Sequence, residues 1–327
     1  MSSKFNNKYL LIAIGVLLVL FVFVRFYRSS RTERTLKTDI VILDTAKISK
    51  ILLYPSAEKG SELTFTRKGK EWSVSNGKLD VETGKSSVQN LIGQLLEIKA
   101  KRLVSRSEDK WKDYQLTDSL GTRIKVYEGS KLKLDMYIGK FTYQQTNDPY
   151  GGYGGRGGVE GTSYVRMANE DEIYAVDGFL TFSFNQPFSS WRNQTFINLN
   201  RSNVTKLSFR YPGDSSFVLA LENKKWMVNN QPADSAKVAN YLSSLSYKNG
   251  SNFDDEFNPV GSSQYQLTIE GNNMENVVVN AYTGSDGKLE MNSSLNSKAW
   301  FTSEPNGIFK DVFKGRKAFI PDDKKKK

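Results

Sequence analysis

Lys47-Ile-Ser-Lys-Ile-Leu-Leu-Tyr-Pro55 returns later in the chain as Asn203-Val-Thr-Lys-Leu-Ser-Phe-Arg-Tyr-Pro212. Ile48 aligns with Val204, Ile51 with Leu207 and Leu53 with Phe209. Downstream, Leu63-Thr-Phe65 and Lys70-Glu-Trp72-Ser-Val74 parallel Phe217-Val-Leu219 and Lys224-Lys-Trp226-Met-Val228, and Asp80 and Asp234 follow the two tryptophans at the same distance. Self-similarity on this scale marks one supersecondary module present twice. A residue that recurs at one place in both copies need only be required by the fold, so Trp72 and Trp226 read as core tryptophans on strands.

Each copy continues with a helical pattern. Val88, Leu91, Ile92 and Leu95 recur at helical spacing, as do Val238, Tyr241, Leu242 and Leu245. Ser86 and Ser235 stand near the two starts as N-cap candidates. Alternating stretches follow, Thr122–Tyr127 and Lys133–Ile138 in the first copy, Tyr265–Ile269 and Asn276–Tyr282 in the second. Two further short strands and an aromatic segment close each copy, Gly178–Phe184 and Gly307–Phe313. The expected body is α+β: two tandem copies, residues 44–198 and 199–321, of a mostly antiparallel sheet module with a packed helix. Leu91, Leu95, Leu242 and Leu245 join Trp72 and Trp226 as the expected core, each large side chain contributing ~1.5–3 kcal/mol when fully buried.

Outside the repeat, the chain reads differently. Tyr9–Val24 carries no charge, and Phe26 and Tyr27 extend the apolar run past Arg25 to 19 residues, the length of a transmembrane helix. Bulky and basic residues follow it rather than the small residues of a cleavage site, which favours an uncleaved anchor. The expected organisation is therefore a tail at 1–8, an anchor at 9–27, a basic juxtamembrane linker at 28–43, the two modules, and a disordered basic tail at 322–327.

The 327 residues hold 46 Lys and Arg against 35 Asp and Glu, a formal charge of +11. Lys4, Lys8, Arg25, Arg28, Arg31, Arg34 and Lys37 oppose Glu33 alone at one end, Lys324–Lys327 close the other, and the stretch between sums to +1. A nucleic-acid-binding domain carries its excess on the folded surface, so no nucleic-acid partner is expected. Histidine and cysteine are both absent. That excludes disulfides, Cys/His zinc sites, catalytic thiols and Ser-His-Asp triads. No catalytic residue, cofactor or metal ligand is expected.

Trp72-Ser-Val74, Lys101-Arg-Leu-Val104, Tyr137-Ile-Gly139-Lys140, Ser163-Tyr-Val-Arg166, Ile173-Tyr-Ala-Val-Asp-Gly178 and Trp191-Arg-Asn193 together resemble the domain of unknown function 4340 family of bacterial envelope proteins, from about Ile48 to Pro321. These are strand and turn signatures, not chemical motifs. Members of that family often accompany auxiliary subunits of ABC-type export systems, including gliding-motility-associated ones. The resemblance implies an accessory role at the bacterial inner membrane with the body on the periplasmic side. The charge count, two basic residues before the apolar run and five after it, taken alone places the body in the cytoplasm.

The remaining candidates are weak as chemistry. Gly152-Tyr-Gly154-Gly-Arg-Gly157 matches a dinucleotide fingerprint formally, but a strand follows it where the phosphate site needs a helix. This glycine-rich stretch reads as a long hairpin loop, with Tyr150, Tyr153, Arg156 and the neighbouring Tyr164 as candidate partner contacts. Glu170-Asp-Glu172 and Asp254-Asp-Glu256 read as solvated turns, and Arg192 as packing on an aromatic ring or pairing with a carboxylate. The sequence thus points to a membrane-anchored, non-catalytic scaffold or partner-recognition protein of an envelope complex. An envelope glycan- or peptide-binding module is the alternative, and a carboxylate-dependent hydrolase a further one. Partner identity and oligomeric state stay open.

Overall fold

The computed structural model describes residues 38–145, 158–284, 287–304 and 307–322. Among these, strand accounts for 45% and helix for 18%. The α+β expectation is corrected accordingly: the molecule is mostly β, built on large antiparallel sheets. The amphipathic stretches do form helices, Ser87–Leu96 and Ser235–Leu245, but these two stand against nineteen strands among the described residues. The aromatic closing segments yield only the brief helices Leu180–Phe184 and Ile308–Val312. No helix among the described residues is long and apolar enough to cross a membrane, so no membrane-spanning helix stands in the observed fold. The stretch 9–27 expected to span lies outside the described residues.

Two compact units interleave along the chain: the described residues up to Glu62 with Gln89–Asn185, and Leu63–Val88 with Gln186 onward. Strands are numbered along the chain. The first unit holds β1 (Ile48–Tyr54), β5 (Ala100–Ser105), β6 (Thr122–Glu128), β7 (Lys131–Gln145), β8 (Val159–Met167) and β9 (Ile173–Asp177), in the order β1-β6-β7-β8-β9-β5.

The second unit holds the meander β2 (Leu63–Lys68), β3 (Glu71–Ser75) and β4 (Asp80–Glu82), and the pair β10 (Thr195–Asn198) and β15 (Tyr247–Asn249). Its main sheet comprises β11 (Val204–Arg210), β12 (Phe217–Glu222), β13 (Lys225–Val228), β14 (Gln231–Pro232), β16 (Tyr265–Gly271), β17 (Val277–Thr283), β18 (Leu289–Ser293) and β19 (Asn296–Ser303). Their order is β14-β13-β12-β11-β16-β17-β18-β19.

The run β1-β6-β7-β8-β9 has the same order as β11-β16-β17-β18-β19, and the pairings β2-β3-β4 match β12-β13-β14. A shared irregularity ties the two runs more closely. β1 bulges against β6 between Ile48 and Lys50, and β11 bulges against β16 between Val204 and Lys206. Ile48 and Ile51 are an odd number of residues apart, so a regular strand would turn them to opposite faces. The extra residue of the bulge restores both to one face, and Ile48, Ile51 and Leu53 are all buried, as are Val204, Leu207 and Phe209.

The helices bury the expected positions: Val88, Leu91, Ile92 and Leu95 in one, Val238, Tyr241, Leu242 and Leu245 in the other. Capping differs from the sequence reading. Asp234 caps the second helix, its carboxylate accepting from the N–H groups of Ala236 and Lys237 at 2.9 and 3.1 Å, and Ser235 is the first helical residue. Ser86 precedes the first helix with φ of 70°, outside the extended conformation of a capping residue. Of the paired tryptophans, Trp72 is buried, while Trp226 is half-buried against the rim of the second unit's core. That core centres on Phe209, Phe217, Tyr241 and Phe319, whose ring centroids lie 4.5–6.1 Å apart.

Candidate partner-contacting surface

In the first unit, β6 accompanies β7 only as far as Thr122 opposite Ile138. β7 and β8 then continue without β6 as a ribbon, through Phe141 opposite Ser163 and Tyr143 opposite Gly161 to Gln145 opposite Val159, with β9 beside β8 as far as Thr162. A bulge between Ile138 and Phe141 marks its root. Alternation gives the ribbon two unlike faces: Phe141 and Tyr143 share one with Val159 and Gly161, and Thr142, Gln144, Glu160 and Thr162 share the other.

The segment after β9 folds onto the apolar face. Gly178 N–H donates to Gly161 O at 2.9 Å, and Leu180 N–H to Ser163 Oγ at 3.0 Å. Phe179 is thereby laid across Gly161, where a Cβ would come within 2.8 Å of the ring; only glycine lets the ring lie there. Phe141, Phe179 and Phe182 pack at centroid distances of 4.9–5.9 Å. Despite these contacts the face stays open to solvent: Tyr143 is 69%, Phe182 61% and Val159 56% exposed.

The ribbon's root is held by a buried arginine. Arg166 on β8 is 3% exposed, with its guanidinium 3.6 Å over Trp111 and 4.3 Å over Tyr137. It donates to the carbonyls of Leu116, Met167, Ala168 and Glu170 at 3.2–3.4 Å. Burial lowers its pKa from the ordinary arginine value. Tyr137 donates its hydroxyl to Asp118, and burial followed by that bond pushes the phenol up to about 12. At the bulge, Lys140 N–H donates to Tyr114 O at 3.0 Å. Every bond of this group is local to the fold; its role is to fix the loop 111–118 and aim the ribbon.

A family model described as "Domain of unknown function (DUF4340)" matches residues 75–267. The chain belongs to this family. No curated protein and no solved structure matches it. In this DUF4340 chain the family match takes in the whole ribbon and its root.

The expected contacts Tyr150, Tyr153 and Arg156 lie outside the described residues. Tyr164 is buried at 7% exposure, its ring 4.6 Å from Tyr114 inside a core cluster, and so belongs to the interior of the first unit. Sequence reading missed Tyr143, Val159, Phe179 and Phe182. The signal for the first two was the two-residue alternation of Phe-Thr-Tyr-Gln-Gln145 and Val159-Glu-Gly-Thr.

The second unit of the DUF4340 chain has a cleft of about 540 Å3 whose lining includes Lys68, Trp72, Asp80, Arg192, Phe253 and Lys298. Its Lys68, Asp80 and Arg192 are paired. Lys68 Nζ sits 2.7 Å from Asp80, holding that carboxyl below its ordinary value with help from Ser73. The guanidinium of Arg192 lies 3.7 Å over Phe253 and binds Asp255, so that aromatic face is already covered and offers no stacking platform to a sugar. The acidic turns also differ from simple solvated loops. Glu170 and Asp171 lend their backbone carbonyls to Arg166 and Trp111, and Asp255 joins Arg192. Asp254 behaves as a turn residue, accepting from the N–H groups of Glu256 and Phe257 at 3.0 Å each, and Asp171 and Glu256 are exposed outside any helix or strand, as expected of solvated turns. No group of three or more acidic side chains able to hold a metal occurs among the described residues.

Proposed function

We propose that this chain is a non-catalytic partner-recognition protein of a bacterial envelope complex, accessory to an ABC-type transport or gliding-motility-associated system. In this reading the aromatic face of the ribbon is where it meets a protein partner. The observation that carries the proposal is the exposure of Tyr143, Val159 and Phe182 together on one side of the ribbon. Rings presented this way supply much of the contact energy in protein interfaces. The rigid root around Arg166 supports the reading, because a preorganised face loses less freedom on binding. The envelope setting rests on the resemblance of the strand motifs to envelope proteins.

The test is the full chain carrying Val159→Ser and Phe182→Ser, crosslinked in intact bacteria beside the unaltered chain. The altered chain should keep its circular dichroism spectrum and lose the partner adducts. Adducts of undiminished yield would remove this face from the proposal.

A further inference from the structure

The ribbon has a second property, independent of its aromatic face: a backbone edge that no strand among the described residues pairs. Gly178 N–H donates to Gly161 O, and Thr162 lies opposite Asp177 on β9. Gly161 therefore directs its backbone groups toward β9, and by alternation Glu160 and Thr162 direct theirs toward β7. Their partners Gln144 and Thr142 face them in return. This leaves the N–H and C=O groups of Phe141, Tyr143 and Gln145 pointing to the side that β6 has vacated, and none of the described residues bonds to them.

Natural edge strands are blunted by lysine, proline or inward-pointing charge. Phe141-Thr-Tyr-Gln-Gln145 has none of these. We infer that this edge pairs with the same edge of a second copy of the chain, antiparallel about a two-fold axis at Tyr143. The edge is complementary to itself. The two-fold axis sets Tyr143 opposite Tyr143 and Phe141 opposite Gln145, all of them outward-pointing, so each matched pair exchanges two backbone hydrogen bonds. No like charges meet, because the segment carries no charge. The two ribbons then form one four-stranded sheet whose Phe141, Tyr143 and Phe182 rings line a continuous face. Beyond Thr162 only two strands remain at the tip, an arrangement that is marginal in water, and added strands relieve that. An isologous contact of this kind closes as a dimer and does not propagate.

This inference goes beyond the recognition role and does not rest on it, since self-association and capture of a foreign partner are read separately. The native chain lacks cysteine, so single thiols can report the geometry. In the full chain, Tyr143→Cys keeps the backbone N–H and places the two thiols on opposed residues, whose Cα atoms are ~5.5 Å apart in such a pair. A short bismaleimide should convert it to a covalent dimer, whereas Lys131→Cys at the other end of β7 should stay monomeric. Light scattering should give twice the chain mass for the native protein and the single chain mass for Tyr143→Pro, which removes one outward N–H and nothing that β8 uses. A monomeric native chain at every concentration, equal crosslinking of both thiols, or a dimer that survives Tyr143→Pro would overturn the inference. Should Tyr143→Pro fail to fold, the pair of thiol variants still decides it.

Discussion

Arg192 and Asp255 meet through two parallel hydrogen bonds of 2.7 Å, Nη1 to Oδ2 and Nη2 to Oδ1. The arginine side chain is 5% exposed and the aspartate 35%. Burial of the two partners is thus unequal, and so should be the cost of removing each. Asp255→Ala leaves a buried guanidinium without its carboxylate, a loss of about 2 kcal/mol for bonds to a charged group. Arg192→Met removes the charge together with its need for a partner and keeps an apolar stem against Phe253, so it should cost less. Urea unfolding of both variants checks the order. If Asp255→Ala is the milder change, the pair does not hold its segment in the way described.

Gly161 makes a sharper case. A methyl there would sit 2.8 Å from three carbons of the Phe179 ring. Gly161→Ala should therefore push Phe179 off the ribbon and destabilise by about 1–3 kcal/mol. Gly93, in the middle of the helix Ser87–Leu96, has nothing within 4 Å of its Cβ position. Gly93→Ala should stabilise by about 0.5–1 kcal/mol through the unfolded chain and helix propensity. Thermal melts of the two variants should move in opposite directions. Similar shifts for both would mean that the ring does not lie on Gly161.

These two cases mark what the sequence makes legible. Alternation at Ile51 and Leu53, and again at Leu207 and Phe209, declares the strands because burial imposes a period of two along a single stretch of chain. The helical spacing of Leu91 and Leu95 is just as local. Arg192 and Asp255 are far apart in sequence, and an Asp-Asp-Glu run between polar residues looks the same whether its middle member is solvated or bonded. Likewise, nothing in Phe-Thr-Tyr-Gln-Gln145 says that Phe179 and Phe182 will fold back beside it, or that β6 will stop short and leave its edge open. Tyr164 fails for a related reason. Sequence proximity to a tyrosine-rich loop says nothing about which side of β8 it takes, and that side faces the core.

Tyr137 should make stability depend on pH at the alkaline end. Its hydroxyl donates to Asp118, and the guanidinium groups of Arg123 and Arg166 lie 5.0 and 4.3 Å from its ring. Burial first and the Asp118 bond second raise the phenol to about 12, against about 10 in an unfolded chain. A raised pKa contributes stability that is complete below the unfolded value and lost as pH rises through the folded one. Unfolding free energy should therefore fall between about pH 10 and about pH 12. Tyr54, Tyr211 and Tyr241 are raised in the same direction, so Tyr137→Phe should flatten this fall without abolishing it. An identical slope in the variant would show that Tyr137 ionises as freely in the folded chain as in the unfolded one.

Asp234 and Ser235 offer a test that separates two neighbours by role. Both residue types are good N-caps, and sequence alone favours either. In the fold, the Asp234 carboxylate takes two backbone N–H groups of the helix Ser235–Leu245, and Ser235 already has helical geometry. Asp234→Ala orphans both donors and should cost about 1 kcal/mol, while Asp234→Asn keeps an acceptor and should retain most of that. Ser235→Ala places a better helix former inside the first turn and should change stability by less than about 0.5 kcal/mol. Denaturant unfolding of the three variants resolves the order. Because Tyr241, Leu242 and Leu245 hang from this helix into the second unit's core, fraying at Asp234 should also speed hydrogen exchange at Ala236, Lys237 and Val238 before it reaches the rest of the helix. Ser235→Ala matching Asp234→Ala in cost would move the cap by one residue and contradict the observed geometry.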